Sequence, residues 1–260
     1  MTTYRNIHGR SIQAVTTDPT ESVAEGQIWY NTTSDTFKSL IASEAFSSAA
    51  TMVTGRQQSG NFGLQTAAVT TGGYTTTRVT NTEEYNGTGW NVSTAYPTAL
   101  NELSGTGTET AGLVMGGRSP PPAAVTTTSE YDGSSWTAGG ALPAGRHSAM
   151  AAGTQTAGLF GFGRTQSGSP QYHANAYEYD GSSWTAANSG NTARAYLGGF
   201  GIQTAAIACG GYFPSSPHDS NDTEEYDGTN WTVGGDLGTA RYQFLTTAGT
   251  STAGLAIGGR

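Results

Sequence analysis

E-Y-N-G-T-G-W (residues 84–90), E-Y-D-G-S-S-W (130–136), E-Y-D-G-S-S-W again (178–184) and E-Y-D-G-T-N-W (225–231) stand 46, 48 and 47 residues apart. A period in this range marks supersecondary units that bury their apolar faces on one another, as in propellers and solenoids. A second element lies between the signatures: T-A-A-V-T-T-G-G from Thr66, T-A-G-L-V-M-G-G from Thr110, T-A-G-L-F-G-F-G from Thr156, T-A-A-I-A-C-G-G from Thr204 and T-A-G-L-A-I-G-G from Thr252. Each is a short apolar run closed by glycine, which reads as a buried strand. In front of each stands another short segment, such as R-H-S-A-M-A-A-G from Arg146, joined by a tight turn such as G-T-Q-T.

One unit is therefore four strands. Strand A starts near the arginine, B ends in Gly-Gly, C carries Glu-Tyr and D opens at Trp. The Asp-Gly or Asn-Gly between C and D is expected to supply the positive φ angles of a tight hairpin. Strand A, rich in Gly, Ser and Ala, lets several inner strands crowd around an axis, while Trp and Tyr on the outer strands fill the space between blades. Four-stranded units repeated radially make a β-propeller.

The copy numbers differ: five Gly-Gly strands, four signatures. Phe46 lies ten residues before Arg56, the interval that also separates Trp136 from Arg146, Trp184 from Arg194 and Trp231 from Arg241. Residues 38–50 thus read as a degenerate C–D pair that closes a fifth blade with the last A and B strands, with residues 27–37 as the other candidate for that pair. The expected organisation is an arm over residues 1–25 and an all-β, five-bladed propeller over 26–260, with an N-terminal hairpin at 27–41 leading into the closing blade.

Composition agrees. Only 12% of residues are charged and 38 of 260 are Gly, which suits short strands and turns rather than helices. The net charge of -8 gives no electrostatic reason to expect nucleic acid or an anionic membrane as partner. No apolar stretch is long enough to span a bilayer, and the first residues, M-T-T-Y-R-N-I-H-G-R, lack the apolar core of a signal peptide. The single cysteine, Cys209, sits among apolar neighbours and reads as a buried thiol.

The Gly-Gly of strand B, the Tyr of strand C and the Trp of strand D resemble the kelch repeat over residues 44–260, although these units are shorter and Phe162-Gly163 replaces one Gly-Gly. The Thr/Gly/Ala-rich texture, together with G-Q-I-W-Y-N-T-T-S-D-T-F-K (residues 26–38), is similar to kelch-like structural and receptor-binding proteins of marine tailed phages. That resemblance implies a virion protein made in the host cytoplasm without a signal peptide, as tail fibre, neck or head decoration. Its implied partners are other virion proteins through the arm, further copies of the chain, and a host-surface glycan or protein.

Residues repeated in every unit are candidates for scaffold, and this covers Glu84, Glu130, Glu178 and Glu225. Arg56, Arg146, Arg194 and Arg241 open four of five A strands, with Leu100 in the second. Two readings stay open: a guanidinium ring at one axial mouth that holds an anion, or arginines that each pair with a carbonyl or carboxylate of a neighbouring blade. Because A and B run antiparallel, the B–C loops share the arginine face. They span 74–82, 118–128, 164–176 and 212–223, and differ in length and content, whereas the turns on the other face are uniform. The candidate binding residues are accordingly Tyr74, Arg118, Arg164, Tyr172, His173, Tyr212, Phe213 and His218, with Arg146, Arg194 and Arg241.

An enzymatic reading finds little. A glycosidase needs two carboxylates about 5 to 9.5 Å apart, and the inner strands offer Glu102, with Glu109 at the end of its turn. His8, His147, His173 and His218 lack metal-ligand spacing, so no cofactor or metal is expected. A lectin-like module with shallow sugar sites between blades is the alternative to a virion protein.

Overall fold

A computed structural model describes residues 4–7, 10–17, 28–39, 48–167, 171–215, 218–243 and 245–260. All of the regular structure among them is β, and the chain divides into two compact units, Met1–Ser48 and Ala49–Arg260. The first unit holds one sheet in the order β1 (Tyr4–Ile7), β2 (Arg10–Val15), β3 (Ile28–Asn31), β4 (Thr36–Ser39), with β2 and β3 parallel and the other pairs antiparallel. The W-Y-N-T-T-S-D-T-F segment forms the β3–β4 hairpin, in which the Asn31 side chain accepts hydrogen bonds from Thr33 N and Ser34 N at 2.9 and 3.0 Å. Residues 10–15, read from sequence as arm, thus lie in one sheet with this hairpin. Most of the expected closing segment, residues 40–47, is outside the described residues.

The second unit is a β-propeller arrangement of antiparallel sheets. Its first sheet is β5 (Gly60–Leu64), β6 (Ala67–Thr71), β7 (Thr82–Tyr85) and β8 (Trp90–Ser93). The second is β9 (Ser104–Thr108), β10 (Ala111–Met115), β13 (Thr128–Tyr131) and β14 (Trp136–Ala138), with a two-residue ribbon, β11 (Arg118–Ser119) and β12 (Ala123–Ala124), inside its B–C loop. The third runs β15 (Met150–Gly153), β16 (Gly158–Gly161), β17 (Ala176–Tyr179), β18 (Trp184–Ala187), and the fourth β19 (Gly198–Ile202), β20 (Ala205–Cys209), β21 (Thr223–Tyr226), β22 (Trp231–Val233). A fifth hairpin, β23 (Leu245–Thr250) with β24 (Ala253–Gly258), follows. The inner strands pack in chain order, β5 on β9, β9 on β15, β15 on β19 and β19 on β23.

Strand B carries the core, as its apolar run requires. Leu113, Val114, Met115, Leu159 and Phe160 are fully buried, and Cys209 in β20 is buried too, with its thiol pushed up to about 11 by loss of hydration. Sheets approach so closely that a Cβ on Gly112 would lie 2.1 Å from the Phe62 ring of the preceding sheet. In the C–D turn Gly133 alone is left-handed (φ 92°), and Asp132 contributes its carboxylate instead of a positive φ, accepting from Ser134 N and Ser135 N at 2.8 and 2.7 Å. This is an Asx turn and not the two-residue hairpin expected from Asp-Gly.

The signature residues join neighbouring sheets. Tyr131 donates to Glu84, Tyr179 to Glu130 at 2.5 Å and Tyr226 to Glu178 at 2.7 Å, each hydroxyl reaching the signature glutamate of the sheet before it. Gln155 and Gln203, from the A–B turns, add paired bonds from Nε2 to two carbonyls of the preceding sheet, at 3.1 and 2.9 Å and at 3.0 and 2.9 Å. Trp184 and Trp231 are buried against Phe160 and Phe162. The first signature differs, because Tyr85 donates to Gly87 O in its own turn.

A hydrogen bond to a carboxylate contributes about 1.5–3 kcal/mol, a neutral one about 0.5–1.5. Tyr226→Phe should therefore cost about 1.5–3 kcal/mol by chemical denaturation and Tyr85→Phe less than half of that. Equal losses would remove the Tyr–Glu staple from its place in the fold.

Candidate functional site: an aromatic and arginine cluster at the axial mouth

After each Gly pair the chain takes one more pairing step with strand A. Tyr74 bridges Gln57, Arg118 bridges Asn101, Arg164 bridges His147 and Tyr212 bridges Ala195, while Tyr242 and Arg260 exchange backbone hydrogen bonds of 3.1 and 3.0 Å. The residue that leaves strand B therefore emerges at the same place in all five inner hairpins. The next residue of strand A is left-handed each time: Gln58 (φ 60°), Glu102 (57°), Ser148 (54°), Tyr196 (59°) and Gln243 (52°). None is glycine, so each costs on the order of 1–3 kcal/mol unless its surroundings hold it. They are held by a relay of amides, Glu102 N to Gln58 O (2.7 Å), Ser148 N to Glu102 O (3.2 Å), Tyr196 N to Ser148 O (2.8 Å) and Gln243 N to Tyr196 O (3.0 Å). All five line an axial cavity of about 340 Å³, within the size range of small-molecule sites.

Repeats three to five gather aromatic rings beside this cavity. Tyr212 and His218 stack at 5.0 Å and 5°, and Tyr212 also meets Tyr172 (6.1 Å, 29°) and Tyr242 (4.9 Å). Tyr242 continues to Tyr196 at 6.4 Å. Arg164 lies 5.3 Å from the Tyr172 ring and 6.0 Å from that of Tyr196, whose hydroxyl it reaches at 3.3 Å, and Arg260 lies 5.0 Å from the ring of Tyr242. Partial burial, and the Tyr196 and Tyr212 hydroxyls beside it, raise the pKa of Tyr172 although Arg164 acts against them. The tyrosines are half-buried and the outer ring of His218 is exposed, so the cluster presents ring faces and edges rimmed by guanidinium and hydroxyl donors.

Glu102 is the cavity's only carboxylate among the described lining residues. Burial alone would raise its pKa, but the hydrogen bond and charge of His147, the Ser148 hydroxyl and the charge of Arg118 outweigh it and hold the group at about 2. His147 Nδ1 lies 2.6 Å and Ser148 Oγ 2.5 Å from the same oxygen, Oε2, and the hydroxyl approaches Nδ1 at 3.1 Å. In a nucleophilic triad the hydroxyl meets the ring nitrogen opposite the carboxylate. Here both contacts fall on one nitrogen, which is a clasp and not a proton relay.

The other sequence-derived candidates fall elsewhere. The Arg194 side chain is fully buried and paired with Glu224, and Arg56 does the same with Glu83 at 2.5 Å, in each case within one repeat rather than between blades. Arg241 donates to Gly258 O at 2.9 Å, and Arg118 reaches Glu102 at 3.4 Å. Four arginines of one continuous anion ring are therefore not what the structure holds. Arg146 is buried, His173 is half-buried in its loop with Nε2 inward, Tyr74 lies in the first repeat away from the rings, and Phe213 closes its own loop through Phe213 N to His218 O at 2.7 Å. Pro217 of this loop lies outside the described residues. The loop residues that come together are Arg164, Tyr172, Tyr212 and His218. Tyr196, Tyr242 and Arg260 join them without having been singled out from sequence; aligning Arg260 with Tyr74, Arg118, Arg164 and Tyr212 after the Gly pair finds one of the three. No group of three or more His, Cys, Asp or Glu among the described residues could hold a metal ion.

No protein-family model and no curated protein matches the sequence.

Because the folded pKa of Glu102 lies below its ordinary 4.5, the stability it contributes is complete above pH 4.5 and is lost as the pH falls toward 2. Glu102→Gln keeps the residue type found at the equivalent Gln58 and Gln243 and should flatten the fall of Tm between pH 4.5 and 2. An acid limb identical to that of the wild type would show that Glu102 is not held by the clasp.

Proposed function

We propose that the protein is a non-enzymatic recognition component of a virion, a five-bladed kelch-like propeller that binds a host-surface glycan through the loop face, with residues 1–25 as its anchor. The observation that carries this reading is the continuous set of Tyr172, Tyr212, His218, Tyr242 and Tyr196 rings with Arg164 and Arg260 on their rim. A sugar ring has an apolar C–H face and a polar edge of hydroxyls, and it is complemented by aromatic faces that bear donors at their margin. The cluster comes from unlike residues of three repeats, which favours one composite site over equal sites between all blades. A single carboxylate among the described residues of the cavity wall, clasped by His147 and Ser148, supports binding without hydrolysis. The virion setting rests on the resemblance of the repeat texture and of residues 26–38 to phage structural proteins.

The five-bladed count is supported by the last hairpin. Leu255 and Ile257 in β24 are 48% and 38% exposed, whereas Leu113 and Leu159 in equivalent strands are 0%. Two outer strands are needed to cover such a face. Trp136 Nε1 donates to Thr94 O, just beyond strand D of the preceding sheet, and Trp90 Nε1 donates in the same way to Ala50 O. Ala50 thus holds the position relative to Trp90 that Thr94 holds relative to Trp136, which supports a closing strand that ends just before residue 50, although Lys38 and Ser39 of the expected 38–50 pair lie in β4.

Glycan-array screening followed by Tyr212→Ala and Tyr172→Ala tests the site. Loss of binding by tenfold or more, with Tm close to the wild type, is expected; binding lost only when equivalent residues of every blade are changed points to repeated lectin sites, and turnover of a polysaccharide overturns the non-enzymatic reading. Deletion of residues 1–50 tests closure. The open edge of β24 should make the product aggregate, and a soluble truncation that unfolds cooperatively would refute a shared fifth blade.

A further inference from the structure

The opening arginines of repeats one, three and four are equivalent in sequence but not in their partners. In repeat four, Glu224 takes the charge of Arg194 and also accepts Asn191 N at 2.6 Å and Thr192 N at 3.4 Å. In repeat one, Glu83 takes Arg56 and accepts Val53 N at 2.7 Å and Thr54 N at 3.1 Å. Each is a complete carboxylate pocket, with one guanidinium and two amides around one anion.

Repeat three has the arginine without the carboxylate. The residue before the signature glutamate is Tyr177 where the others have Glu83 and Glu224, and Pro143 takes the place of Val53 and Asn191, so the first amide donor is missing as well. Arg146 is nevertheless 5% exposed, as deep as its paired counterparts. Its Nη1 reaches only Gly145 O, at 3.1 Å, and its Nε is buried without a partner; Arg56 Nε and Arg194 Nη2 are too, so what sets Arg146 apart is the missing carboxylate. The Tyr177 side chain, 9% exposed, lies within electrostatic reach of Arg146, as does His173, whose Nε2 is also buried and unpartnered. Burial and the Arg146 charge both lower the pKa of His173, so the imidazole stays neutral beside the guanidinium. The guanidinium, the phenol and the imidazole can all donate, and no acidic side chain among the described residues pairs with this arginine. A buried guanidinium with no carboxylate partner carries a desolvation cost, which lowers the pKa of Arg146.

We propose that Arg146, beside Tyr177 and His173, binds one small monovalent anion of the carboxylate class, which stands in for the side chain that Glu83 and Glu224 supply in the other repeats. The site is independent of what the loop face recognises. It has two consequences: the third blade gains stability from a solute, and a carboxylate built into strand C displaces that solute.

Crystals soaked in sodium bromide should show an anomalous peak beside Arg146 Nε and none at the filled pockets of Arg56 and Arg194. In solution, Tm in sodium acetate should exceed Tm in sodium fluoride of equal ionic strength by about 3 °C or more. Arg146→Met should abolish both effects. Tyr177→Glu, which restores the residue of repeats one and four, should abolish them while raising Tm in fluoride. Absence of the wild-type peak, a peak that survives Arg146→Met, or an acetate effect of equal size in wild type and Arg146→Met would each overturn the proposal, and the last two comparisons do not depend on whether the Tyr177 variant folds.

Discussion

A phenolic hydroxyl that donates to a carboxylate one blade back is the interaction on which the ring of sheets depends. Each sheet is too small to hold itself: four strands of three to five residues bury little, and one face of every strand B is apolar. Tyr131, Tyr179 and Tyr226 convert adjacency into connection, since the glutamate that accepts belongs to the signature before and the tyrosine that donates belongs to the signature after. The acid and the phenol stand next to each other in sequence yet serve opposite interfaces. That explains why Glu and Tyr recur together although their side chains leave the strand on opposite faces. Burial and the carboxylate also keep Tyr131 and Tyr179 protonated, pushed up to about 12, so the staples persist across the physiological range.

Against this uniform outer frame the axial mouth is varied. One backbone conformation recurs in five inner hairpins, and the side chain attached to it changes from Gln to Glu, Ser, Tyr and Gln. The strain of the left-handed residues is offset by bonds between neighbours, which separates the two tasks of the position: the amide and carbonyl belong to the scaffold, while the side chain is free to meet a ligand. Glu102 shows the limit of that freedom, because its carboxylate is occupied by His147 and Ser148 and so belongs partly to the frame.

The repeat, the order of strands and the loop-bearing face were all legible in the sequence, because period, glycine and β-branched residues act locally. Arg164, Tyr172, Tyr212 and His218 were legible for a related reason: they lie in loops that differ between copies. Tyr196 and Tyr242 were not, since each lies within two residues of the arginine that opens an inner strand and reads as scaffold. The left-handed conformation at Gln58 or Tyr196 leaves no mark in residue type, as glycine is absent there and tertiary hydrogen bonds enforce it. The fates of Arg146 and Arg194 could not be told apart from strand A alone, because the difference lies some thirty residues away, at Tyr177 and Glu224. The ribbon of β11 and β12 is too short for any periodic signal.

The relay of amides from Gln58 to Gln243 also acts as a counting device. Every link joins a fixed position of one hairpin to the same position of the next, so an insertion at the start of strand A would break two links at once and tilt its blade. The B–C loops branch off after the Gly pair and lie outside this count. Length variation can therefore accumulate within the loops, between their bonded ends such as Arg164 and Ala174 or Tyr212 and Ser220, without breaking a link of the relay. The side chains that the loops present can then change while the architecture stays the same.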